Sequence, residues 1–446
     1  MLKLAWLLVA ASQLAVVVGC WAWNHVHHPM GNQLTGDAAG MFLAYGRLAG
    51  LLAAFAILLQ LLLMGRLPWL GRTYGFDRLA RAHHVLGVAL VVPLLAHPVL
   101  VTLGHAAESD QSWLAQNGDF LRHWPYLWAA ALGSGLMAVA IVTSVLVVRR
   151  RLKYETWYAI HLTLYLAIAL VFLHQVAVGS DFTDHPWYRW YWFVLNGVVA
   201  LNLAGYRFLR PLWRFHRHRF TVGRLVPETA DVTSVYLEGR DLAGFPARGG
   251  QFLLVRFLAR GFRWEEHPFS LSQCPDGRTL RLSIKAVGDF TRRIPALAPG
   301  TPVIVDGPHG LLTADRCRFG KVLLLAGGIG ITPIRAVAED LVRQQHDVIL
   351  FYANRNRAGI VFEQELAALA AVADGRLKIH HVLSADPGWP GEQGHLDRER
   401  ILRLVPDVRE REVFLCGPPP MMRTLRRALA DLGVPGRRIH DERFSL

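Results

Sequence analysis

The 446 residues are 52% hydrophobic and carry a formal net charge of +14. The apolar excess lies in the first half, to about Pro211, while the second half has ordinary globular composition, so a purely soluble protein is excluded and two or three domains are expected. The cations cluster at the ends of apolar runs and form no basic stretch interleaved with aromatics, which argues against nucleic acid as a partner.

A membrane span needs about 20 apolar residues. Runs near 2–23, 39–64, 79–104, 124–148, 155–178 and 187–209 meet that length. The first is long for a signal-peptide core, and Gly19-Cys20-Trp21 is a poor cleavage site, so it reads as a retained span. Arg66, Arg72 and Arg78 fill the connection after the second run. Arg149, Arg150, Arg151 and Lys153 fill that after the fourth, and Arg207, Arg210, Arg214, Arg217 and Arg219 follow the sixth. The other connections are poor in cations. The positive-inside rule then puts both termini of a multi-pass chain in the cytoplasm, and the cell inner membrane is the expected location. Cys20, Cys274, Cys317 and Cys416 have neither metal-type spacing nor a disulfide framework, which suits a reducing compartment.

Ionisable residues inside spans are costly and usually functional. The third run contains His83, His84 and His97, and the fifth contains His161 and His174. His83 and His97 are 14 residues apart, about 21 Å of rise and about 40° of rotation on an ideal helix, so they share a face. His161 and His174 are 13 residues apart, which on an ideal helix turns the rings about 140° from each other and calls for a bend or for side chains reaching from two flanks. Each helix still offers one imidazole near each leaflet. Facing pairs, His83 with His161 and His97 with His174, would be axial ligands of two stacked b-type haems. His84 competes with His83, and Pro93 can shift the helical phase. His25, His27 and His28, in the first outer connection, are a weak candidate metal site.

From Phe220 the pattern changes to short alternating strands with regular turns, which predicts a small antiparallel β-barrel to about Arg316. "HPFSLS" (His267, Pro268, Phe269, Ser270 and onward) offers an apolar ring face and edge hydrogen bonds for a flavin. "KAVGDFT" follows, with Lys285 before a turn in which Gly288 and Thr291 open a helix, where backbone N–H groups favour a pyrophosphate. From Lys321 strands alternate with helices near 333–344, 362–373 and 420–432, which predicts a doubly wound α/β domain. In "AGGIGITP", Gly327, Gly328 and Gly330 allow a dinucleotide close to the backbone, with Thr332 as a helix cap and Pro333 after it. "CGPPPMM" places Cys416, Gly417 and Pro418 at the carboxyl end of the last strand of that series, where ligands bind in such sheets.

These residues, with His83, Gly87, His97 and the stretch 154–175, resemble the ferric reductase/NADPH oxidase flavocytochromes, in family order and over nearly the whole length. The resemblance implies a six-helix transmembrane di-haem domain (1–211), an FAD-binding barrel domain (216–316) and an NAD(P)H-binding α/β domain (317–446). It implies FAD, two haem b and NADPH or NADH as cofactors. It assigns His267, Pro268, Phe269 and Ser270 to the flavin strand, Gly288 and Thr291 to the pyrophosphate turn, and Gly327, Gly328, Gly330, Thr332 and Pro333 to the nicotinamide dinucleotide. Cys416, Gly417 and Pro418 match the nicotinamide-side motif, and Phe444 resembles the C-terminal aromatic that covers the flavin.

The expected activity is an NAD(P)H-dependent oxidoreductase that moves electrons across the membrane to dioxygen, to a ferric chelate or to a periplasmic redox partner. A haem carrier or sensor without transfer activity is the alternative. Arg355, after the second strand of the α/β domain, is the candidate contact for a 2′-phosphate and favours NADPH. The expected partners are membrane lipid and NAD(P)H, with no nucleic acid.

Overall fold

The computed structural model describes residues 2–28, 32–144, 151–152 and 154–442. The chain divides into two compact units, Met1–Leu67 with Arg81–Ala204, and Pro68–Ala80 with Gly205–Leu446. Its helices before the first strand include α1 (Leu2–Val26), α2 (Ala38–Met64), α3 (Pro68–Tyr74), α4 (Phe76–Glu108), α5 (Trp113–His123), α6 (Leu127–Ser144), α7 (Tyr154–Val178) and α8 (Pro186–Leu203). Among the described residues, 6 helices are long and apolar enough to cross a membrane, and all six expected runs are represented. The short helices α3 and α5 lack a long apolar run and were not expected. Ser112 caps α5 by accepting from the Ala115 N–H.

In the first unit a core of Val17, Trp21, Ala44, Leu51, Phe55, Leu58, Tyr188 and Trp192 joins α1, α2 and α8. Two indoles of this core are tied to specific acceptors. The Trp21 indole donates to the Ala44 carbonyl at 2.8 Å, and the Trp192 indole donates to Gln175 Oε1 at 3.1 Å. Small residues let backbones approach, as is usual between helices in lipid. A Cβ at Gly133 of α6 would lie 2.9 Å from the Ala167 carbonyl of α7.

The second unit has three sheets. β1 (Thr221–Thr229), β2 (Val232–Glu238) and β5 (Thr279–Lys285) form one antiparallel sheet, and β4 (His267–Ser270), β3 (Phe252–Phe257) and β6 (Val303–His309) form another. The expected barrel is therefore not a single closed ladder. The two sheets meet through isolated bridges at Thr221–Pro302 and Leu271–Leu282. Pro302 has no N–H to extend a ladder, which suits a sheet corner. Their shared core includes Phe220, Val235, Leu253, Val255, Phe257, Leu282 and Phe290.

The third sheet is parallel, in the order β10-β9-β8-β7-β11-β12. Its strands are β7 (Lys321–Gly327), β8 (Asp347–Asn354), β9 (Leu377–Leu383), β10 (Glu392–Gln393), β11 (Glu412–Cys416) and β12 (Ile439–Glu442). Helices α9 (Ile331–Arg343), α10 (Glu363–Val372) and α11 (Pro419–Asp431) fall within two residues of the expected positions. Chain order reverses between β7 and β11, so the crevice for a ligand lies beyond Gly327 and Cys416.

An ion-pair network joins the antiparallel sheets to this α/β layer. Arg281 of β5, 2% exposed, donates to Glu365 of α10 at 2.6 and 3.1 Å and to the Ser272 carbonyl at 2.7 Å. Arg335 of α9 adds a contact to Glu365 at 3.1 Å, and the Cys274 N–H donates to Glu339 at 3.2 Å. A buried guanidinium is stable only with such acceptors. Arg281→Met removes a charge-assisted set and is expected to cost roughly 2–3 kcal/mol. A lower temperature of flavin release from the full-length protein measures it, and an unchanged temperature would contradict this role.

Candidate functional site

The first unit brings the sequence-predicted histidines together in two facing pairs. The His83 and His161 rings have centroids 6.1 Å apart at an interplanar angle of 74°, and His97 and His174 are also 6.1 Å apart, at 36°. His84 is exposed, so His83 is the member of that dipeptide that faces α7. The unequal spacings of 14 and 13 residues are accommodated although α7 has no internal proline, while α4 carries Pro93 between its two histidines. A proline there removes one rung of the helical ladder, which loosens the phase.

A neighbour that sequence reasoning missed holds the His97 ring. His97 Nδ1 lies 2.9 Å from the Gly46 carbonyl, so that nitrogen carries the proton and Nε2 presents its lone pair. A Cβ on Gly50 would fall 2.6 Å from His97 Nδ1, so only glycine lets α2 pass the ring. Gln60 donates to the His83 carbonyl at 3.0 Å. The spacing Gly46–Gly50, a small-residue pair four apart, was the available signal.

The ring separation tests the fit of a metal between each pair. Two metal–imidazole bonds of about 2.0 Å, plus roughly 1.1 Å from nitrogen to ring centre on each side, give about 6.2 Å. Both pairs sit at 6.1 Å, so the residues fit a bis-imidazole iron site.

In the second unit the flavin-strand residues lie on β4. His267 pairs with Val255, Pro268 with Leu254, Phe269 with Leu253 and Ser270 with Phe252. Ser270 is 6% exposed. The His267 ring lies 4.0 Å from that of Phe290, and its Nε2 is 3.3 Å from Glu265. Gly288 and Thr291 do open a helical turn, Asp289–Arg292. The Thr291 hydroxyl accepts from the Val287 and Gly288 N–H groups, both at 2.9 Å, so the Gly288 donor is used within the turn. Lys285 pairs with Asp231 at 3.2 Å, which engages its ammonium at the end of β5.

At the switch point the backbones of two loops cross. A Cβ on Gly330 would lie 2.3 Å from the Cys416 carbonyl, and one on Gly327 would meet Met421 and Pro418. Gly328 has φ +51 with nothing within 4 Å of its Cβ position, so it combines a left-handed turn with open space for a ligand. Thr332 does not cap α9. Gly330 holds the cap position, and the Thr332 hydroxyl donates to the Ile329 carbonyl at 3.0 Å because it already lies inside the first turn. Pro333 is buried in that turn, where its missing N–H costs nothing.

Cys416 is fully buried and Gly417 packs against Gly327, with Pro418 at the cap of α11. Burial holds the Cys416 thiol well above its usual range, so it stays protonated. Arg355 is exposed just past β8, while its neighbour Arg357 pairs with Glu363 at 3.3 Å. Phe444 lies outside the described residues.

Glu442 is a residue that sequence reasoning missed. It pairs in register with Cys416, and its carboxylate lies against Gly310. Burial first, and then the charge of Asp77, push its carboxyl up to about 8. No local motif marks it, because the environment comes from three separate segments.

The sign of the Glu442 effect follows from linkage. The folded state keeps the proton up to about 8, whereas the ordinary value is 4.5, so the stabilisation is complete below 4.5 and is lost as pH rises through 8. Glu442→Gln stays neutral throughout. Its Tm relative to the parent is expected to rise between about pH 5 and about pH 9. A Tm difference independent of pH would refute a proton on this carboxyl.

Comparison with known proteins agrees with this layout. The family described as ferric reductase like transmembrane component matches residues 49–172, an FAD-binding domain matches 219–311, and an oxidoreductase NAD-binding domain matches 324–427. An NADPH oxidoreductase of Mycobacterium tuberculosis is 29% identical over 246 residues, 53% of this chain and 62% of its own length. A flavohemoprotein of Candida norvegensis is 32% identical over 48% of this chain and 55% of its own length, so the chain spans less than two thirds of both relatives. Among solved structures, a ferredoxin reductase of a carbazole 1,9a-dioxygenase covers 51% of this chain and 69% of its own, at 26% identity and a TM-score of 0.45. The chain is thus a ferric reductase-like transmembrane component fused to FAD- and NAD-binding oxidoreductase domains.

Proposed function

We propose that this protein is an NAD(P)H-dependent oxidoreductase that passes electrons through FAD and two b-type haems to an acceptor across the membrane, dioxygen or ferric iron. The observation that carries the reading is the pair of histidine couples at one spacing, on a chain that also bears a flavin and nicotinamide module. Flavin takes two electrons as hydride and releases them singly, and haem iron carries one at a time.

This chain's own residues supply position and environment. His83 with His161, and His97 with His174, would hold the irons, and the Gly46 carbonyl orients His97. Ser270 faces the flavin edge from β4. Gly327, Gly328 and Gly330, with Gly417 and Pro418, leave the switch-point crevice open to the dinucleotide. Cys416, kept neutral by burial, would lie on the nicotinamide side of the crevice and would not act as a base. Phe444 is assigned the flavin-covering role by resemblance alone. The arginine-rich connections support a cytoplasmic side for both termini and the nucleotide-binding half, in an inner membrane. A periplasmic redox partner is a third acceptor class, and transfer activity separates all three from a haem carrier or sensor.

Haem content tests the ligand set. His97→Ala or His174→Ala is expected to halve the b-type absorbance per chain, and His84→Ala to leave it intact. Full absorbance in the His97→Ala protein would remove the proposed site. Cofactor preference tests Arg355. An exposed arginine on a 2′-phosphate contributes about 1–2 kcal/mol, so Arg355→Ala is expected to raise KM for NADPH roughly tenfold with KM for NADH unchanged. Equal changes for both cofactors would remove the assignment.

A further inference from the structure

The first unit contains a second histidine-rich site, which the electron route does not use. A cleft at the C-terminal end of α1 is lined by His25, His28, Arg47, Asp181, Asp184 and His185, among others. His25 is 1% exposed and Asp181 is 5% exposed. His25 Nδ1 lies 2.6 Å from Gln33 Oε1, an oxygen that only accepts, so the ring proton sits on Nδ1. Nε2 therefore carries a lone pair. That atom is buried, has no hydrogen-bond partner, and is 3.9 Å from Asp181 Oδ1.

A buried lone pair without a donor is unfavourable, and an Nδ1–H bound to an amide oxygen is how metal-binding histidines are oriented. Asp181 is held in the same manner by Asn24, which donates to its Oδ1 at 2.9 Å. We infer that this cleft binds a divalent first-row transition metal ion of the Zn²⁺ or Cu²⁺ type, anchored by His25 Nε2 and the Asp181 carboxylate. Among the described residues no group of three or more His, Cys, Asp or Glu side chains is placed to hold a metal ion, so the proposal rests on the two anchors. The two anchors do lie within the roughly 4.2 Å that one metal–nitrogen and one metal–oxygen bond span end to end. His28, Asp184 and His185 are within the cleft to complete the set. Two aspartates against one arginine leave a net negative charge that suits a cation. Imidazole with carboxylate selects this class of metal over Mg²⁺ or Ca²⁺.

The test is a titration of the full-length, chelator-treated protein in detergent with ZnCl₂ by calorimetry, and with CuCl₂ by electron paramagnetic resonance. One tight equivalent is expected, with nitrogen hyperfine structure in the copper signal. His25→Ala should abolish the equivalent. Gln33→Ala keeps every donor but frees the tautomer, and should weaken binding about 10–100-fold. Unchanged haem and flavin spectra would show that both variants fold, and the readout does not depend on electron transfer. No stoichiometric binding, or binding unchanged in both variants, would overturn the inference.

Discussion

A ring nitrogen surrounded by apolar helices must find a partner, and that constraint organises the first unit. Desolvating a polar group without compensation costs several kcal/mol. Four imidazoles on α4 and α7 face one another as couples with ring centroids 6.1 Å apart, and the buried Nδ1 atoms of His83, His161 and His174 have no hydrogen-bond partner there. The rest of the helix packing follows from it. α2 must approach α4 closely enough for the Gly46 carbonyl to reach His97, and Gly50 provides the clearance. The indoles of Trp21 and Trp192 obey the same rule with backbone and amide acceptors.

The second unit meets a different constraint, which is close approach of one loop backbone to another. Parallel strands β7 and β11 end side by side, and the loops leaving them cross at contacts that exclude even a methyl group at Gly327 and Gly330. The antiparallel sheets carry β4, and Arg281 anchors them to α10 through Glu365. Hydride transfer needs near contact between two rings. A buried guanidinium bound to both layers ties β4 and its sheet to the α/β layer.

Buried ionisable groups appear in both units, with different consequences. Glu442 retains its proton to about 8 because burial and Asp77 disfavour the anion. His25 resolves its burial by choosing a tautomer, with Gln33 on one side and an unfilled lone pair on the other. One is a matter of proton affinity, and the other of coordination chemistry.

Much of this architecture was legible in the sequence. Apolar length determined the six long helices, since a bilayer-spanning helix and a short amphipathic one differ in composition. Strand–helix alternation and "AGGIGITP" determined the parallel sheet and its ligand edge. The histidine spacing determined which residues could pair, but left His83 and His84 open and implied a phase mismatch on α7. Only the tertiary structure decided those points, by exposing His84 and turning both α7 rings toward α4. It also decided that Thr332 lies inside its helix, that Lys285 is engaged by Asp231, and that Glu442 is buried beside Cys416. Local patterns record what a residue can do within one turn or one strand. Proton affinity, ring orientation and ion pairing depend on atoms far along the chain, and folding alone brings those atoms together.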